Sequence, residues 1–69
     1  MEQLTAAWQR WDEQPGSRHA VIALQTHIER LTEQLGCTPM EFRDTVNSNR
    51  REGQSLEAAI ENAIEAFRD

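Results

Sequence analysis

The sequence predicts an all-α fold, a compact bundle of four short helices forming one domain over residues 1–69. Three observations predict it. Apolar residues recur at helical spacing in four successive segments, and no segment sustains the period-two alternation of a strand. Proline, glycine and capping residues stand between the segments, with no internal repeat or low-complexity tract among them.

The first helix is expected over about 2–14. Leu4, Ala7, Trp8 and Trp11 fall at i, i+3, i+4 and i+7, which places them on one face of a helix. Pro15 and Gly16 end it, because proline lacks an amide and clashes with the preceding turn while glycine admits positive φ. Ser17 is then the N-cap of a second helix over 18–35, where its hydroxyl meets an orphan amide. Val21, Leu24, Ile28, Leu31 and Leu35 follow the 3-4 spacing of a heptad seam, and Gly36 falls just past the last of them as a C′ glycine.

The third helix, over 39–51, has a strong start signal in Thr38-Pro39-Met40-Glu41. Threonine caps, proline occupies the first helical position, and Glu41 reaches back to complete a capping box. Phe42 and Val46 are its core residues and Gly53 closes it. Ser55 caps the fourth helix, over 56–67, in which Leu56, Ala59, Ile60, Ala63, Ile64 and Phe67 form the apolar stripe. Glu57, Glu61 and Glu65 lie opposite that stripe, and Asp69 continues their row.

Composition bounds the function. Seven arginines and no lysine stand against twelve acidic residues, for a net charge of −5. No apolar run approaches the ~18 residues of a transmembrane span. The opening Met-Glu-Gln is not the basic stretch of a secretory signal, so no such signal is expected. The single cysteine, Cys37, leaves no internal disulfide and suits a cytoplasmic location. A core of this size contributes at most about 3–5 kcal/mol. Self-association or a partner is therefore expected to add stability.

Enzymatic chemistry, cofactors and metals are not expected. Ser17 and Ser55 are accounted for as caps, Cys37 has no nearby histidine in sequence, and His19 and His27 share one helix. No phosphate-binding glycine loop and no zinc-ligand spacing occurs. The expected function is that of a small acidic protein-interaction module, an adaptor, inhibitor or regulatory subunit. Three surfaces are candidates for it. Trp8 and Trp11 are anchor residues of the type enriched at interface hot spots. Arg43, Asn47, Arg50 and Arg51 gather on one side of the third helix as a polar patch. Glu57, Glu61 and Glu65 form an acidic strip suited to a basic partner surface. The 18–35 seam is also a candidate homodimer contact, although Ala20 and Ala23 widen its apolar face toward ordinary core packing. His27 flanks that seam, and Cys37 is placed to make the apolar contact beside a helix-ending glycine.

The stretch Leu31-Thr32-Glu33-Gln34-Leu35-Gly36-Cys37-Thr38-Pro39-Met40-Glu41-Phe42 resembles the core of a helix-turn-helix, with glycine in the turn and apolar residues on both sides. The resemblance implies a DNA-binding regulator in which Thr38, Met40, Arg43 and Asn47 point outward from a recognition helix. Arginine and asparagine are the side chains that read guanine and adenine edges. Thr32 stands where such motifs carry a small residue, and Glu41 and Asp44 would meet phosphates. Because phosphate neutralisation dominates DNA affinity, a net charge of −5 makes DNA binding the alternative and protein binding the main expectation.

Overall fold

The computed structural model describes residues 2–68. Four helices follow one another: α1 (Glu2–Glu13), α2 (Arg18–Leu35), α3 (Pro39–Arg51) and α4 (Leu56–Phe67). The expected boundaries hold at every helix, with α1 one residue shorter. The caps explain that agreement. Ser17 accepts from the Ala20 amide at 3.3 Å and Ser55 from the Ala58 amide at 3.2 Å. At α3 the capping box is complete, with the Glu41 amide donating to Thr38 Oγ1 at 3.1 Å and the Thr38 amide donating to Glu41 Oε1 at 3.2 Å.

Gly36 ends α2 with φ at 77°, a left-handed conformation that a Cβ would strain. The amides of Gly36 and Cys37 both donate to the Thr32 carbonyl, at 2.8 and 3.2 Å. Cys37 packs against the core, as its place beside the glycine implied. Gly53 also takes positive φ; Gly16 does not, so the α1–α2 turn uses no left-handed glycine.

The helices pair as two hairpins. α1 packs along α2 and α3 along α4, and smaller α2–α3 and α1–α4 contacts close the bundle. A radius of gyration of 11.3 Å equals the ~11 Å that compact packing gives a chain of this length. The core joins Leu4 and Trp8 of α1 to Leu24 and Ile28 of α2, Phe42 and Val46 of α3, and Ile60 and Ile64 of α4. Phe42 lies at its centre, 6.4 Å between ring centroids from Trp8 on one side and from Phe67 on the other. These tilted pairs are geometries that aromatic quadrupoles favour.

On α2 the heptad reading needs correction. The buried line is Ala20, Leu24, Ile28 and Thr32, spaced by four throughout. Val21, expected in the seam, is 38% exposed, and Leu31 and Leu35 are half-buried. Leu24 and Ile28 of the expected seam are already covered by this chain's own core and have no surface left for a second copy. Thr32 tolerates burial because its hydroxyl donates to the Ile28 carbonyl one turn back at 2.8 Å.

Candidate interaction surfaces

The candidate residues fall in three different environments. Trp8 is 1% exposed and belongs to the core, which corrects its expected role as an anchor: it has no surface to offer a partner. Its indole Nε1 is buried without a hydrogen-bond acceptor among the described residues. Trp11, one turn on, is half-buried against the core, and the Arg43 guanidinium carbon lies 5.5 Å from its ring centroid. That is a cation–π contact between α1 and α3.

The arginine patch of α3 divides in two. Arg43 is turned onto Trp11, and Arg50 makes a two-pronged contact with the Asp12 carboxylate of α1, at 2.8 and 3.3 Å. Both side chains of that pair are about one-third exposed, so it contributes less than about 1 kcal/mol. Its effect is on position: together the two contacts hold the end of α1 against α3. Arg51 remains exposed, while Asn47 is half-buried in an open groove of about 340 Å³ between α2 and α3. Gln25 and Ile28 of α2 line that groove opposite Met40, Arg43, Asp44 and Asn47.

Sequence spacing gave no reason to single out Ile22. It is 56% exposed on the outer side of α2, and Met40 on the groove is 74% exposed. Ile22 and Val21 sit one turn before Gln25 on α2, while Met40 alone of the three exposed large apolar side chains of the described residues lines the groove itself. An apolar residue off the buried line is the signal that could have found Ile22.

Glu57, Glu61 and Glu65 are all exposed on α4, as the spacing implied, while Asp69 lies outside the described residues. A second open groove of about 340 Å³ separates α4 from α1. Glu2, Thr5, Ala6 and Gln9 of α1 line it opposite Glu57 and Glu61, so the fold adds Glu2 to the strip from the far end of the sequence. Among the described residues, every charged side chain lining this groove is acidic. Arg68 adjoins the row, with its guanidinium 3.7 Å from Glu65 and both side chains well exposed.

His27 is half-buried beside Leu4 and Leu31, and His19 is exposed. Cys37 carries a free thiol. Its partial burial, reinforced by the Glu41 carboxylate, pushes that thiol above its ordinary pKa, so the reactive thiolate is disfavoured. Among the described residues no group of three or more histidine, cysteine or acidic side chains could hold a metal ion. No helix is long and apolar enough to cross a membrane. The chain has no significant match to a protein-family model, a curated protein or a solved structure, so these surfaces are the ground on which its function is read.

Proposed function

We propose that the chain is a small protein-interaction module, an adaptor, inhibitor or regulatory subunit of the cytoplasm, whose acidic α4 face docks on a basic surface of a partner protein. One observation carries the reading. Glu57, Glu61 and Glu65 stand exposed along one helix, and Glu2 joins them across a groove lined, among the described residues, by no basic side chain. Such a one-signed strip makes the local potential more negative and steers a positively charged partner during encounter. The strip works without catalysis or cofactor. The DNA-binding alternative draws less support, since Arg43 and Arg50, two of its four basic or amide side chains, are engaged on α1.

The test is capture from nuclease-treated lysate of the native host, with the wild-type chain beside Glu57→Gln, Glu61→Gln, Glu65→Gln combined in one variant. The expected result is a stoichiometric basic protein held by the wild type, released by salt and lost by the variant. Retention of nucleic acid, abolished by Arg43→Ala with Arg50→Ala, would replace this reading with the DNA-binding one.

A further inference from the structure

The outer side of α2, with Ile22 and Val21, and the α2–α3 groove that meets it at Gln25, with Met40, carry exposed apolar side chains away from the acidic strip that the first reading leaves unexplained. We propose that this face binds a second copy of the chain, with α2 packed antiparallel on α2 across a two-fold axis. The inference shares the premise that the chain acts through surface contacts, but it concerns a different face and a different partner.

The argument begins with the outer side of α2. Arg18, Ile22, Gln25 and Glu29 are spaced 4-3-4, so they form a stripe along one helix face, and all four are exposed. The stripe has an apolar-to-polar middle and opposite charges at its ends. Neither Arg18 nor Glu29 forms an ion pair with another described residue. Glu29 accepts a hydrogen bond from Gln25 Nε2 at 3.1 Å, which holds its carboxylate along the stripe.

Charge then selects both occupant and direction. If two copies meet antiparallel with Ile22 opposite Gln25 of the second copy, the same register sets Arg18 opposite Glu29 of the second copy. The two-fold axis repeats each pair, giving two Arg18–Glu29 pairs flanking two Ile22–Gln25 contacts. A parallel arrangement would set Arg18 on Arg18 and Glu29 on Glu29, which like-charge repulsion disfavours. The groove supplies the apolar part of the fit. Gln25 lines it together with Ile28 and Met40, so an Ile22 arriving opposite Gln25 comes to the edge of that groove. The symmetric contact thereby covers the exposed Ile22 of each copy. The acidic strip of α4 takes no part in the register, so a dimer and a basic partner do not compete for residues.

Sedimentation equilibrium of the full chain tests the proposal, with circular dichroism reporting the fold of every variant. The wild type is expected to be a reversible dimer. Arg18→Glu and Glu29→Arg should each weaken it by about tenfold or more, the range in which truncated interfacial charge pairs act. Combining the two should restore the dimer, because the charges are exchanged rather than lost. Ile22→Glu should give a monomer of unchanged helicity, and Met40→Ser, a milder change on the groove wall, should weaken the dimer in the same direction. A wild type that stays monomeric at all concentrations overturns the proposal. So does a dimer indifferent to the charge reversals, or one that the double reversal fails to restore. The Glu57, Glu61 and Glu65 variant should dimerise as the wild type does, so failure of the dimer and failure of the acidic-face reading remain separate results.

Discussion

The two grooves of this molecule have nearly the same volume, about 340 Å³ each, and opposite chemistry. Between α1 and α4 the charges of the described lining residues are all negative, on Glu2, Glu57 and Glu61. Between α2 and α3 the charges are mixed, one arginine with one aspartate, and the apolar Met40 stands exposed beside them. Size therefore says little about what either groove does. A one-signed surface acts at a distance of about a Debye length and discriminates by net charge. A mixed surface with exposed apolar groups acts on contact and discriminates by register, because a shifted partner places like charges together. A chain with this small a core can present both because its two helical hairpins each contribute one wall to each groove.

The comparison can be broken most severely at the residue both halves share. Phe42 is fully buried and touches Trp8 and Phe67. Phe42→Ala should cost about 3–5 kcal/mol, as much as the whole core of so small a domain supplies. Chemical denaturation is expected to show a chain largely unfolded without denaturant, with both surfaces lost together. Thr38→Ala acts on one half. It removes the acceptor for the Glu41 amide at the entrance to α3, and the unfolding free energy should fall by about 1 kcal/mol. Loss of the dimer ahead of the acidic-face interaction would confirm that the two faces are separable.

Smaller effects sharpen the contrast. Converting Glu57, Glu61 and Glu65 to glutamine should raise thermal stability slightly, by a few tenths of a kcal/mol per relieved like-charge pair. The first-turn Glu57 should gain least, since it also faces the positive end of the α4 dipole. Retaining an acidic row that weakens its own helix is what an interaction surface would do. The least effect is expected at Cys37, whose raised pKa makes its reaction with a thiol reagent at mildly alkaline pH slower than that of cysteine in the unfolded chain. Equal rates in folded and unfolded protein would contradict the burial assigned to it.

What could be read from the sequence was local. Ser17, Thr38 and Ser55 cap because their acceptors lie three residues from the amides they meet, a relation contained in any short window. The exposed acidic row was equally legible from period alone. The α2 core line was not, because the seam 21-24-28-31-35 and the line 20-24-28-32 share Leu24 and Ile28, and only the placement of α1 and α3 decides between their flanks. Thr32 concealed its burial behind a polar side chain that satisfies itself on its own helix. Trp8 and Trp11 share a face, yet one is core and the other is half covered by an arginine far along the chain. The pair Arg50–Asp12 joins residues 38 apart, a separation at which spacing carries no signal.

That division between the tryptophans makes the protein its own optical gauge. Trp8 is enclosed by aliphatic and aromatic neighbours, with its N–H facing no acceptor among the described residues, so its fluorescence should be shifted toward the blue. Trp11, half in water beneath a guanidinium, should emit further to the red. With no tyrosine in the chain to feed or mask either indole, one spectrum records two events. The blue component follows melting of the core, and the red component follows release of the α1 end from α3. A titration in which the red component moves first would show that end fraying before the bundle opens.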